Sequence, residues 1–375
     1  MKWSLSLGRI AGIKVFIHWT FLILIAWIII QSSLAGQSTE QILWVLAFLL
    51  VIFFCVFLHE MGHALTAKKF AIKTRDINLL PIGGLARFEN LPEDPRQELL
   101  VALAGPAVNL LIAAGLYLIL FSAGSDVETV DFRTINQSNF LYMLFAANLL
   151  LALFNLVPAF PMDGGRALRA LLAFKFNRVR ATRVAAGIGQ VLAIGFVFIG
   201  LFYNPILLLI GIFIFLGAQA ESSFAQTRDL LSGFKVADVV MEEYKCLQMD
   251  DPLSKAIELL LDGQSTKFLV KKGETISGTL SRSEMVRALS EKGREASIGD
   301  IMNDQLEYFD ADMPLKDAFM KMQQYKHALI LVRRRGTFAG VVDLENIQEF
   351  IMLRGARPED KEQVLRERES AGIST

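Results

Sequence analysis

The chain has 375 residues, of which 53% are hydrophobic and 20% charged, and its formal net charge is zero. That balance argues against one water-soluble domain and suits a membrane protein with a soluble part. Bulk charge points to no partner class, and no nucleic-acid partner is expected. The two cysteines, Cys55 and Cys246, lie far apart in unlike contexts and read as packing residues rather than a disulfide.

In chain order, apolar stretches long enough to span a bilayer fall at about 15–34, 41–67, 97–122, 138–158, 182–203 and 205–221. The last two are joined by a tight turn at Tyr203-Asn204-Pro205, and the fourth is interrupted by Pro158 and Pro161. Lys2, Arg9 and Lys14 precede the first span. Lys68, Lys69, Lys73, Arg75, Arg87 and Arg96 fill the second connection, and Arg166, Arg169, Lys175, Arg178, Arg180 and Arg183 the fourth. The first connection carries only Glu40, and the third has Asp126, Glu128 and Asp131 against Arg133. Basic connections stay in the cytoplasm, so the alternation predicts a multi-pass protein of the cell membrane with both termini cytoplasmic. A cleaved signal peptide ending near 33–36 is the competing reading of the first span.

The second span raises a chemical question. Ile42 to Leu58 contains no strongly polar side chain, and then "FLHEMGHALTAKKF" places His59, Glu60 and His63 before the basic end. Polar groups at that depth are costly, so they face a cavity and serve a function. Four residues apart on a helix, His59 and His63 lie on one face and can bind one Zn²⁺, with Glu60 beside them as general base. A catalytic zinc needs a third protein ligand and one open position for water. Of the other two histidines, His18 sits at the start of the first span and His327 lies in the soluble part. The better third ligand is Asp163 in "NLVPAFPMDGGR", which follows the fourth span at a compatible depth. Pro158 and Pro161 permit irregular backbone where it lines a protein cavity. Helix capping is the alternative role of Asp163.

These segments resemble the intramembrane zinc metalloproteases known as site-2 proteases. His59-Glu60-Met61-Gly62-His63 matches their zinc motif, and Asn155 through Gly165 matches their second motif, N-x-x-P-x-x-P-x-D-G-G. "PIGGLA" at 81–86 and "AGPAVN" at 104–109 are further family-like segments. The resemblance covers the membrane half. It implies cleavage of a membrane-protein substrate in or near its transmembrane segment, at a zinc held by His59, His63 and Asp163 with Glu60 as base. It also implies an oxyanion or substrate-positioning role for Asn155, the alternative being a hydrogen bond that stabilises the broken fourth span. Pro81 to Gly84 resembles a re-entrant β-loop that pairs with extended substrate.

From residue 236 the sequence repeats at an offset of 62: Asp238 aligns with Asp300, Pro252-Leu253 with Pro314-Leu315, and Gly278 with Gly340. Such a unit buries its faces by pairing with its copy. The pair resembles tandem cystathionine-β-synthase (CBS) domains, which implies an adenine nucleotide in the cleft and a homodimer through the module. The family's hydroxyl-then-Asp pattern is partly kept, as Ser281 and Glu284 in copy one and Asp343 and Asn346 in copy two. A carboxylate at 343 suits ribose hydroxyls and repels phosphate, and the alternative to nucleotide binding is a structural or dimerising module.

The expected fold is therefore a polytopic α-helical membrane domain of about six transmembrane helices followed by an α/β CBS pair. Its expected divisions are 1–225 protease, 226–235 linker, 236–295 and 296–355 CBS copies, and 356–375 a charged tail. The competing function is a CBS-gated transporter or channel, which leaves the Glu between zinc-spaced histidines without a role.

Overall fold

The computed structural model describes residues 4–81, 83–88, 94–123, 134–263, 266–323 and 329–356. The chain forms two compact units, Met1–Ala225 and Gln226–Thr375.

The first unit opens with a hairpin, β1 (Ser4–Ile10) and β2 (Ile13–His18). Ala11 and Gly12 turn it with φ of 52° and 88°, the doubly left-handed geometry that two-residue hairpin loops favour. Residues 15–18, expected to begin the first span, are thus strand. Ile13, Val15 and Ile17 alternate with Lys14, Phe16 and His18, and that period of two decides the matter. Helix α1 (Thr20–Leu34) follows, then α2 (Thr39–Lys69). The latter is started by a Ser38–Gln41 capping box and ends on Lys68 and Lys69, which complement its dipole.

Strands β3 (Thr74–Leu80) and β4 (Gly83–Phe88) complete a sheet of order β1-β2-β3-β4, parallel between β2 and β3 and antiparallel elsewhere. One face buries Ile13, Val15, Ile77 and Leu79 on Phe57, Met61 and Ala64 of α2. Four more apolar helices follow: α3 (Pro95–Ser122), α4 (Phe140–Asn155), α6 (Arg178–Tyr203) and α7 (Pro205–Leu230). The short α5 (Asp163–Ala173) intervenes after the Pro158–Pro161 break. Among the described residues, α2, α3, α6 and α7 are long and apolar enough to cross a membrane. The apolar α1 and α4 have 15 and 16 residues, about 22–24 Å of rise and short of a 30 Å hydrocarbon core.

In the second unit each copy is built as β-α-β-β-α. Copy one comprises β5 (Cys246–Gln248), α8 (Leu253–Asp262), β6 (Lys267–Lys272), β7 (Thr275–Ser281) and α9 (Arg282–Lys292). Copy two comprises β8 (Tyr308–Asp310), α10 (Leu315–Met322), β9 (Ile330–Arg334), β10 (Thr337–Val342) and α11 (Leu344–Ala356). Their sheets run β5-β6-β7 and β10-β9-β8.

The copies exchange their leading segments. Leu231, Phe234, Val236 and Val239 are buried in the core of copy two, where Leu315 N–H donates to Phe234 O at 2.8 Å and Val236 N–H to Met313 O at 2.9 Å. Reciprocally, Ile298, with Ile301 and Met302 packed against it, completes the core of copy one, where Leu253 N–H donates to Ala296 O at 2.9 Å. The divisions at 235/236 and 295/296 follow the repeat in sequence, whereas the packing crosses them. Of the tail placed at 356–375, all but Ala356 lies outside the described residues.

Candidate metal centre

His59 and His63 lie one turn apart on α2, and Asp163 is the first residue of α5. All three are buried. His59 Nε2, His63 Nε2 and Asp163 Oδ2 form a triangle with every side 3.1 Å. Ligand atoms placed 2.0–2.1 Å from a tetrahedral zinc stand roughly 3.3 Å apart, and two imidazoles with one carboxylate are a catalytic-zinc donor set. The residues therefore fit that ion. Among the described residues this is the one His/Cys/Asp/Glu group close enough to hold a metal.

The outward-facing ring atoms are held as well. His59 Nδ1 lies 2.5 Å from Asn109 Oδ1, and His63 Nδ1 lies 2.7 Å from the Val101 carbonyl, both on α3. Each Nδ1–H donating to its oxygen leaves both Nε2 lone pairs facing the triangle. Asn109 is itself fixed, because its Nδ2 donates at 2.9 Å to Asn148 Oδ1 on α4, and Asn148 Nδ2 donates at 2.9 Å to Leu144 O. A relay of three helices thus sets the tautomer and tilt of His59. A glycine makes room for the rings: a Cβ built at Gly105 would meet His63 Nε2 at 2.2 Å and His59 Nε2 at 2.6 Å.

Asp163 is positioned by close backbone approach and by a buried ionic cluster. Cβ atoms at Gly164 and Gly165 would strike the 156–160 backbone at 2.3 to 2.8 Å, so only glycines let α5 tuck beneath that segment. Two turns along α5, Arg169 is 2% exposed. It pairs with Glu98 of α3, the closest contact being 2.5 Å, and with Glu221 of α7. Its guanidinium also lies 5.1 Å from the centre of the Phe160 ring. These charged hydrogen bonds tie α5 to two spans.

Glu60 is half-buried beside the triangle on α2, and its Oε2 accepts the Ala86 N–H of β4 at 3.0 Å. A Cβ at Gly84 would stand 2.3 Å from Glu60 Cγ, so this glycine of β4 gives the side chain its space. Asn155 ends α4 half-buried, with its amide donating to Leu151 O at 2.9 Å. That bond stays within its own helix and uses one of the two N–H donors of the amide. His18 bonds Thr20 at the start of α1.

The CBS positions are engaged within the chain. Ser281 and Glu284 form the capping box of α9. Asp343 accepts from Lys267 of the other copy at 2.8 Å and from Asn346 N–H at 2.8 Å. Four participants escaped the sequence reading as functional residues: Asn109, Asn148, Gly105 and Arg169. The two asparagines did leave a signal, being amides inside apolar spans.

Peptidase family M50 matches residues 47–133 and 128–199, and the CBS domain matches 298–353. A zinc metalloprotease of Methanocaldococcus jannaschii is 31% identical over 348 residues, which cover 92% of this chain and 96% of that protein. Rip3 of Mycobacterium tuberculosis is 27% identical over 323 residues, 80% of each chain. Among solved structures, the site-2 protease from Methanocaldococcus jannaschii is 38% identical and covers 59% of this chain and 95% of that one, with a TM-score of 0.43. Likeness along almost the whole of a metalloprotease, together with the family match, places this chain among the site-2 proteases of peptidase family M50, as a membrane zinc metalloprotease that carries a CBS module.

Proposed function

We propose that the enzyme hydrolyses a peptide bond in or near the transmembrane segment of a membrane-protein substrate, with His59, His63 and Asp163 holding one zinc ion and Glu60 acting as general base. The observation that carries this is the 3.1 Å triangle of buried ligand atoms with Glu60 next to it in sequence. A bound zinc supplies a Lewis acid that polarises the scissile carbonyl and acidifies water. Glu60 takes a proton from the attacking water and delivers it to the departing amine nitrogen. The Ala86 N–H anchors one carboxylate oxygen, which fixes the direction in which the base acts. The Asn109–Asn148 relay and the Val101 carbonyl keep both histidines in the ligand tautomer.

A helical substrate hides its carbonyls in its own hydrogen bonds, so it must be held extended. Strand β4 is an edge strand that pairs with β3 and borders Glu60, and an extended segment laid along it would lie beside the base. The basic second and fourth connections support cytoplasmic termini and water access from that side. The CBS pair is then a cytoplasmic regulatory module and the surface through which a homodimer forms. The test is Glu60→Gln in purified, reconstituted protein. We expect one zinc per chain, as in the wild type, with proteolysis lowered at least about 100-fold. A Gln variant that still cleaves would overturn the assignment of the base.

A further inference from the structure

The four-stranded sheet has two faces of opposite chemistry. Away from α2 it bears a pocket of about 240 Å³ lined by Ser4, Lys14, Arg75, Asp76, Asn78 and Arg87. Strand register builds it: Lys14 stands opposite Asp76, and Asp76 opposite Arg87, across β2, β3 and β4. Among the described residues three cations face one carboxylate, and that carboxylate is already engaged, with Arg75 Nε 4.0 Å from its Oδ2. Asp76 accepts from Arg87 Nε at 2.9 Å and from Asn78 Nδ2 at 2.5 Å, so it orients the guanidinium. Lys14 has no partner among the described residues. Ser4 Oγ is buried without a hydrogen-bond partner among the described residues, a condition that costs about 1–3 kcal/mol unless something supplies an acceptor.

We propose that this pocket binds a phosphate group, with Lys14, Arg75 and Arg87 supplying charge and Ser4 a hydroxyl donor. Guanidinium forks and an ammonium match phosphate oxygens in geometry and charge. The nucleophile, base and metal ligands of the protease play no part in this site. Two sources present the same chemistry: an anionic phospholipid headgroup and a soluble phosphate. The surroundings fit the first. Leu7 lines the opposite, apolar face of the same sheet with Val15, Ile17 and Leu50, and Leu5, Leu7 and Trp19 are exposed, as at a membrane–water boundary.

The test uses the full-length chain. Inorganic phosphate is titrated into detergent-purified protein by equilibrium dialysis. Separately, the protein is placed in phosphatidylcholine nanodiscs with and without phosphatidylglycerol, and retained lipid is counted by native mass spectrometry. We expect saturable binding of one equivalent of at least one probe, weakened at least about tenfold by Lys14→Glu and by Arg87→Gln. Arg87→Gln also strips Asp76 of a partner, so Lys14→Glu, which breaks no side-chain hydrogen bond or ion pair among the described residues, carries the decision. Unchanged zinc content reports an intact fold. Retention of phosphatidylglycerol alone supports a lipid headgroup, and phosphate binding alone supports a soluble anion. Neither probe bound, or binding unmoved by Lys14→Glu, overturns the proposal.

Discussion

Gly105→Ala is the smallest change that should empty the metal centre. The added methyl would lie 2.2 Å from His63 Nε2, 2.6 Å from His63 Cε1 and 2.6 Å from His59 Nε2. Carbon contacts settle at about 3.5 Å, so rings and methyl must separate by roughly 1 Å. Zinc–ligand distances tolerate about 0.2 Å. The helices cannot retreat cheaply either. At Gly62 a Cβ would already stand 2.8 Å from Val108 and 2.9 Å from the Ala104 carbonyl, which shows how closely α2 and α3 approach at this level. Disturbing the groups that merely orient ligands costs 10–100-fold in metal affinity, so displacing both imidazoles should cost at least about 100-fold. Overpacking should cost a further ~1–3 kcal/mol of stability. The assay is zinc per chain after dialysis against a graded chelator, beside a thermal melt. Gly115→Ala on the same helix is the control, since nothing lies within 4 Å of its Cβ. That change should leave zinc untouched and raise stability by about 0.4–1 kcal/mol. A Gly105→Ala protein holding zinc as tightly as the control would refute the geometry.

Three further outcomes follow from the packing. Asn109→Ala and Asn148→Ala should each weaken zinc about 10–100-fold by freeing His59 Nδ1 from its relay, with His63 still held by Val101; competition with a chelator reads this. Arg169→Leu removes the cation that Glu98 and Glu221 share, leaving Glu98 with Arg178 at 3.3 Å, and should cost about 3–5 kcal/mol. Denaturation of the reconstituted protein measures that cost, and Glu98→Gln in the same chain should recover part of it. Leu231→Ala, at a fully buried position, should cost about 2–5 kcal/mol in copy two rather than copy one. Hydrogen exchange on the intact chain should show faster exchange in β8–β10 than in β5–β7.

The chemistry was legible wherever residue type and spacing carry it. His59, Glu60 and His63 at helical spacing, and an Asp after a broken span, could be read directly, and the structure brings the three ligand candidates within 3.1 Å of one another. The groups that aim those ligands were harder to see. Asn109 and Asn148 become meaningful only when α3 and α4 meet, and a glycine in "AGPAVN" looks like ordinary helix packing until two imidazoles are set against it. The first span was misjudged at its start because Val15 to Ile17 reads as apolar, while the alternation that makes it a strand takes effect only with β1 and β3 alongside. The exchange of leading segments between the CBS copies was invisible for a different reason. A repeat reveals which residues are equivalent and leaves open which copy each one packs on.

That exchange constrains how the chain can be made. Synthesis delivers Leu231, Phe234, Val236 and Val239 well before the strands that will receive them, so a greasy strip trails from the end of α7 while copy one is being translated. Copy one, by contrast, closes soon after its last helix, once Ile298 emerges. A message cut short between the copies would therefore yield a lobe with its own core closed but Leu269 uncovered, beside a sticky, unhoused segment, a natural target for quality-control proteolysis. Assembly of the module is a check that the ribosome reached the end of the second copy.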